Sequence, residues 1–353
     1  MRSAPAHKKI GVSRLLYAAH SRSPYDSILV SRKHTSTKAE RLPESTGEAE
    51  FYVPQLKREY FSRRYWSTWL TVGLLRLCVP LPMRASRSIG ALLGLIFFLV
   101  NRKRRRIARR NLRLCFQELS GRERARLLRK HFLMMGRSYV DLGFLAWASL
   151  ERIERKIRFV GLDDALPHRE KHIITLVPHC LGVSFGAILA KYHPAFSMFK
   201  PPRDPVLNWF LSKGRVRFGC RLLARKQGMR PVVRALQEGM AFYYIPDEDL
   251  GPRRSVFVPF FGVQTATLPT LGRLAELTDA VVMPVFVRML PGGEGYEIQL
   301  KPVLENFPSG DRIKDAARMN AVLEQGIREM PEQYMWTFKL FRTRPHDAPS
   351  PYN

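Results

Sequence analysis

Acidic residues are scarce in this chain. Thirty Asp and Glu stand against 59 Lys and Arg in 353 residues, a formal net charge of +29. A balance that one-sided implies polyanionic surroundings: nucleic acid, an anionic bilayer, phosphorylated lipid or an acidic carrier protein. Cysteine is also sparse. Cys78, Cys115, Cys180 and Cys220 are scattered, with no CxxC pair and no histidine cluster at metal-ligand spacing. That points to a reducing compartment and away from a zinc site. No apolar run reaches the roughly 20 residues of a perpendicular membrane span, and residues 1–60 lack the long apolar centre of a secretory signal.

What is present falls into three parts. Residues 1–60 mix Ser, Arg, Lys, His and Thr without periodicity and end in an acidic stretch, Glu44 to Glu50. They read as a disordered extension, or as the product of a mis-assigned translation start. Residues 61–110 read as a membrane-anchoring helical segment with a basic flank. Trp66 to Leu81 is largely apolar, and Ser88 to Val100 runs thirteen residues without a charge before Asn101-Arg-Lys-Arg-Arg-Arg-Ile-Ala-Arg-Arg110. Apolar helices edged by Trp66 and Trp69, with a basic cluster beyond, suit a cytoplasmic membrane face. A buried hairpin with a solvated basic cap is the plainer alternative. Gly90 and Gly94 permit close helix packing. Nucleic acid fits less well, because no stacking aromatics interleave the basic run.

Residues 111–353 read as the third part, an α/β domain. Ser120 with Glu123 forms a capping box, after which Leu127, Leu128, His131, Met134 and Met135 mark one helical face. Beyond Leu150, residues 173–177, 196–199, 241–245, 280–287 and 296–300 read as strands. Residues 184–191, 229–238, 267–277 and 311–330 read as helices between them. This alternation predicts an α/β sheet with helices on its faces.

Ligands in such sheets sit at strand ends, and two ends carry chemistry. At the first, Val177-Pro-His179-Cys-Leu-Gly-Val-Ser184 follows a buried strand. His179 is a candidate general base, and Ser184 stands five positions on, where a carboxylate would be placed to hold the ring. Cys180, beside His179, reads as packing rather than as a nucleophile. At the second end, Asp247-Glu248-Asp249 follows Tyr243-Tyr-Ile-Pro246 directly. Asp247 or Asp249 can bind substrate hydroxyls, bind a cation or supply the missing carboxylate; a solvated turn paired with Arg253 and Arg254 is the alternative. Between the two ends, Lys200, Arg203, Lys213, Arg215 and Arg217 interleave with aromatics and prolines, and arginine forks suit phosphate oxygens.

Seven stretches together carry a resemblance: Arg106-Ile-Ala-Arg-Arg-Asn-Leu112, Val177-Pro-His179, Arg230-Pro-Val-Val-Arg-Ala-Leu236, Pro246-Asp-Glu-Asp249, Val258-Pro-Phe-Phe-Gly262, Met330-Pro-Glu-Gln-Tyr334 and Phe341-Arg-Thr-Arg-Pro345. From about Arg63 to Tyr352 the chain resembles the late acyltransferases of lipid A biosynthesis, in the lysophospholipid acyltransferase-like superfamily. The resemblance implies a central mixed sheet flanked by helices, as in glycerolipid acyltransferases, with an N-terminal membrane-associated helical segment. It implies an enzyme at the cytoplasmic face of the bacterial inner membrane. That enzyme moves a fatty acyl chain from acyl carrier protein to a hydroxyl of a lipid A precursor or related anionic lipid. It needs no metal or cofactor beyond the carrier thioester and has no nucleic-acid partner. His179 is then the general base with Ser184 beside it, and Lys200, Arg203, Arg215, Arg217, Asp247 and Asp249 bind substrate.

Two departures accompany the resemblance. Ser184 replaces the family's Asp or Glu, and Phe338 and Leu340 stand where a histidine and further basic residues are usual. Both open an alternative: a catalytically impaired homologue that binds lipid or acyl carrier protein without turnover.

Overall fold

A computed structural model describes residues 50–168, 170–345 and 348–352. The expectation for residues 1–60 therefore lies outside the described residues up to residue 49. The described part of Gly47–Asn353 forms one compact unit. It opens with four helices: α1 (Trp66–Cys78), α2 (Met83–Val100), α3 (Arg102–Cys115) and α4 (Gly121–Trp147). A short α5 (Leu150–Glu154) leads through β1 (Ile157–Val160) and α6 (Leu162–Ala165) to β2 (Ile173–Leu176). A 3₁₀ segment, Val183–Lys191, precedes β3 (Ala195–Phe199), α7 (Pro205–Val216), β4 (Arg221–Ala224), α8 (Arg230–Gln237) and β5 (Ala241–Tyr244). The chain ends with β6 (Val256–Phe260), β7 (Val263–Thr267), α9 (Thr270–Thr278), β8 (Val281–Met289), β9 (Tyr296–Leu300) and α10 (Arg312–Glu329).

The main sheet has seven strands in the order β1-β9-β8-β2-β5-β3-β4. Every pair is parallel except β8 with β9, so the sheet is mixed and helices flank it. Its central strands read as unbroken apolar runs, as strands buried on both faces must: Ile173-Ile-Thr-Leu176 in β2 and Ala241-Phe-Tyr-Tyr244 in β5. Because β2, β5, β3 and β4 are parallel, their C-terminal ends share one edge of the sheet. Tyr52 donates its backbone N–H to Leu222 O, laying residues just before α1 along the exposed side of β4.

Helix α4 is the spine of the helical layer. Ser120 and Glu123 make the expected capping box, and Leu127, Leu128, His131, Met134 and Met135 are all buried. Helix α2 lies against α4 with almost no side chain between them. A Cβ at Gly90 would meet the Arg137 backbone at 2.7 Å, and Gly94 and Gly136 are closer still to the facing backbone. The small-residue spacing read from the sequence thus does its packing inside this chain. Buried Arg87 on α2 then locks the layer to the sheet. It pairs with Asp141 on α4 at 2.8 Å and donates to Leu290 O and Gly295 O in the β8–β9 turn, while Tyr296 Oη donates to the same carboxylate at 2.8 Å.

The β6–β7 hairpin turns on Phe261 and Gly262, with φ of 51° and 72°. Two positive φ values are what a tight primed turn needs, and a phenylalanine there is uncommon. Phe261 is held by packing: its ring meets Phe116 and Trp336, Arg328 lies over its face at 4.7 Å, and its N–H donates to Glu324 at 2.6 Å.

Five strands stand within two residues of their expected positions. The segment 184–191 differs in kind, being 3₁₀ rather than α-helical. The helix expected from residue 267 starts at Thr270, because the β-branched run ending at Thr267 belongs to β7.

Candidate active site

His179 sits just past the C-terminal end of β2, where the chain leaves the sheet. A second segment holds that loop in place. Leu181 N–H donates to Gln333 O at 2.7 Å and Met335 N–H to His179 O at 2.9 Å, so residues 179–181 and 333–335 pair like a short antiparallel ladder. Ser138 on α4 donates to Leu181 O at 2.6 Å and Tyr243 to Val183 O at 3.0 Å. Gln333 is itself clamped on the Met289 backbone through both its amide atoms. The imidazole is therefore fixed from the sheet, the helical layer and the C-terminal segment together.

The neighbouring strand end supplies the acid. Asp247, three residues past β5, accepts from His179 Nδ1 through Oδ1 at 2.5 Å and from His179 N–H through Oδ2 at 2.8 Å. Its side chain is 3% exposed, against 19% for the histidine. With the proton on Nδ1, the Nε2 lone pair faces outward. Glu248 Oε1 lies 3.9 Å from Nε2, and Arg225, just past β4, holds the other oxygen of Glu248 at 2.8 Å. Phe338 covers the ring edge-on, with centroids 5.3 Å apart.

This arrangement sets both protonation states. Burial disfavours the charged imidazole, but the adjacent Asp247 carboxylate and its hydrogen bond outweigh it, with Glu248 adding, so the His179 pKa is raised. Burial likewise opposes ionised Asp247, and the facing His179 with its two hydrogen bonds wins, so that pKa is lowered. The Tyr334 hydroxyl lies close enough to help hold Asp247 ionised, yet among the described residues it has no partner in hydrogen-bonding geometry. The result is an anion bonded to a ring that is easily protonated, which is the electrostatic form of a histidine base.

The other expected residues divide. Ser184 meets Arg215 rather than the imidazole, its Oγ accepting from the guanidinium at 3.3 Å. The reason is local: Cys180 is bridged to Tyr334 and Leu181–Gly182 turn before the 3₁₀ segment begins at Val183, so no α-helical turn carries position 184 back over position 179. Asp249 is spent on the C-terminal segment, accepting from Thr343 N–H at 2.6 Å, Thr343 Oγ1 at 2.8 Å and Gly251 N–H at 3.0 Å. It forms no pair with Arg253 or Arg254. Arg217 donates to Leu145 O and Ala148 O, closing the C-terminus of α4. Arg215, half-buried on α7, has burial working against its charge. Lys200 and Arg203 are exposed in the β3–α7 loop, at the same sheet edge as His179. Cys180 is buried with its thiol on Val287 O, and burial pushes it up to about 12, which suits packing rather than attack.

Two residues of the site escaped the sequence reading. Arg225 and Glu248 form an ion pair beside Nε2, and the signal for Arg225 was only its place just after a four-residue strand. Glu248 stood in the acidic tip but between two more conspicuous aspartates.

A family model of the bacterial lipid A biosynthesis acyltransferase matches residues 53–343. The chain belongs to that family. It is 34% identical over 304 residues to the lipid A biosynthesis lauroyltransferase of Escherichia coli K12, covering 85% of this chain and 99% of that protein. It is 32% identical over 305 residues to the lipid A biosynthesis myristoyltransferase of the same organism, covering 85% and 94%. A Haemophilus influenzae lipid A biosynthesis acyltransferase matches at 32% over 297 residues, covering 83% and 93%. Within this member of the lipid A acyltransferase family, the carboxylate on His179 comes from Asp247, beyond the neighbouring strand.

Proposed function

We propose that this protein is an active O-acyltransferase that takes an acyl chain from acyl carrier protein and delivers it to a hydroxyl of a lipid A precursor or related anionic lipid. The observation that carries the proposal is the 2.5 Å contact between His179 Nδ1 and a buried Asp247 carboxylate at the open edge of the sheet. His179 is the general base: Nε2 takes the proton of the acceptor hydroxyl as its oxygen attacks the thioester carbon. The C–S bond breaks, and the thiolate leaves carrying the proton that Nε2 returns. Asp247 is a positioning residue, fixing the tautomer and favouring the protonated ring in the transition state. Ser184 then has no duty toward the ring and steadies Arg215.

Lys200 and Arg203, exposed at the same sheet edge as His179, suit the phosphate of the carrier's phosphopantetheine arm. No metal or cofactor is needed. The outward faces of α1 and α2 support membrane attachment at the cytoplasmic face of the bacterial inner membrane. Leu70, Leu74 and Leu77 on α1 and Leu92, Leu99 and Val100 on α2 are exposed, Leu77 at 71% and Val100 at 75%. Helix α2 is also long and apolar enough to cross a membrane by length and composition. Its glycine face packs on α4 within the domain, which favours an interfacial position.

The second reading, a binding protein without turnover, rests on Ser184 and on Phe338 and Leu340. Acyl transfer by purified protein, with labelled acyl carrier protein and a lipid A precursor, separates the two. Product lost in His179→Ala supports catalysis; folded protein that binds both substrates without product supports the alternative.

A further inference from the structure

A cavity of about 310 Å³ lies away from the imidazole, lined by Arg102, Lys103, Arg106, Arg110, Lys339 and Tyr352, with no carboxylate among its lining residues. Arg102, Lys103, Arg110 and Lys339 have no ion-pair partner among the described residues. The floor is aromatic: Lys339 Nζ sits 5.8 Å from the Tyr352 ring. The Tyr352 hydroxyl offers the cavity no acceptor, because it donates to Asn111 Oδ1 and takes Phe341 N–H. The walls are rigid. Asn111 on α3 donates to Trp336 O and Phe338 O at 2.7 Å, and Arg104 to Thr337 O at 2.9 Å, bolting α3 to the loop that carries Lys339. Like charges gathered around a preformed concavity repel one another, and an anion relieves that repulsion.

Two continuities say which anion. Exposed Leu99 and Val100 end α2 immediately before Asn101, so an apolar surface meets the cationic one without a break. An apolar face bordering a cationic cup matches a lipid, with its chains on one side and its headgroup phosphate on the other. At the far wall, Lys339 follows Phe338, whose ring covers His179. The cup's Lys339 thus adjoins the residue that packs on the imidazole.

We propose that this cavity holds a phosphate monoester of a lipid headgroup, and that it thereby positions a phosphorylated acceptor lipid toward His179. The assignment rests on the acyl-transfer reading for its purpose, and the binding itself can be measured without turnover. The charge-assisted contacts are strongest to a monoester, which carries more charge than a diester and presents three free oxygens.

The test is co-sedimentation of the full chain with phosphatidylcholine vesicles containing either phosphatidic acid or phosphatidylglycerol at matched surface charge. The wild type should prefer phosphatidic acid. Arg102→Gln with Lys339→Gln should remove that preference, weakening phosphatidic acid binding by roughly tenfold. Arg109→Gln with Arg113→Gln, which removes the same charge from exposed positions of α3 outside the cavity, should keep it. No preference in the wild type, or equal loss in both double variants, overturns the proposal in favour of plain electrostatics. Inorganic phosphate that binds the wild type as tightly as the vesicles do makes the cup a free-anion site and overturns the lipid assignment. Loss of carrier-protein binding in the cavity variant, with vesicle binding intact, reassigns the cup to the carrier. Failure of acyl transfer with the vesicle preference intact tells against the enzyme reading alone.

Discussion

Asp247 does at the residue scale what position 184 does not. A buried carboxylate that accepts both the ring N–H and the backbone N–H of the same histidine leaves the imidazole one orientation and one tautomer. Asp247→Asn keeps the shape and removes the charge. Transfer should fall by about 10³–10⁴-fold, the order seen when a serine protease triad loses its acid. The pH profile separates positioning from mere structure. A base works when neutral, so the raised His179 pKa puts the acid limb of kcat/KM above that of an ordinary histidine. In Asp247→Asn burial is no longer offset, and the limb should move to lower pH. A rate loss with an unmoved limb contradicts the role.

His131 makes the opposite case. It is fully buried on α4, with Nδ1 on Glu332 O at 3.1 Å and Nε2 without a partner among the described residues. Burial lowers its pKa from 6.5 to about 4. The folded protein therefore refuses a proton that the unfolded chain accepts, and stability falls as pH drops from about 6.5 to about 4, then levels off. The loss is of the order of 3 kcal/mol at 1.36 kcal/mol per pH unit. His131→Gln should flatten that stretch of the stability curve in denaturant titrations, whereas an unchanged slope assigns the acid sensitivity elsewhere.

At the scale of elements, the close pairing of α2 with α4 carries the most risk. Gly136→Val places a branched side chain where the facing backbone of Gly90 and Gly94 already lies. Overpacking of this kind costs roughly 1–3 kcal/mol or more. The expected sign is earlier hydrogen exchange in α2 than in α10, with the sheet still protected. Uniform loss across the molecule would show that α2 is not a separable layer.

The same scale shows what the residues announced in advance. Central strands were legible because burial on both faces writes an apolar run, as in β2, β5 and β8. Short edge strands were not. Ile157-Arg-Phe-Val160 and Arg221-Leu-Leu-Ala224 are four residues each and begin with or include an arginine, so they carry neither a long run nor a clear alternation. Helix α7 hid behind its cations. Its start is marked by Asp204, which caps Val206 N–H and Leu207 N–H, followed by Pro205. At the site, His179 was legible from its place between a strand and a glycine turn. Its partner was not, because which strand end lies beside another depends on sheet order, and β5 neighbours β2 across 68 residues of sequence.

For the whole molecule, the net charge of +29 and the exposed leucines of α1 and α2 suit the same kind of partner, an anionic lipid surface. Asp247, Glu248 and Asp249 are taken up internally by His179, Arg225 and Thr343, so they do not offset that charge toward an anionic partner. Binding to anionic vesicles should weaken as salt rises, since surface attraction is screened within about 10 Å at 0.1 M. A remainder set by apolar contact should persist. Leu92→Glu with Leu99→Glu should remove that remainder, lowering partition by about tenfold or more. Full retention of high-salt binding in that variant places the membrane contact elsewhere.

All of this turns on one pairing across two strand ends. The most direct test is the acyl-transfer rate of three proteins side by side: the wild type, Asp247→Asn and Ser184→Ala, each with its fold checked by circular dichroism. The expected result is collapse in Asp247→Asn and a rate within about tenfold of wild type in Ser184→Ala, where only a 3.3 Å contact to Arg215 is lost. Collapse in Ser184→Ala with turnover surviving in Asp247→Asn would contradict it, and would return the histidine's support to the position five residues on.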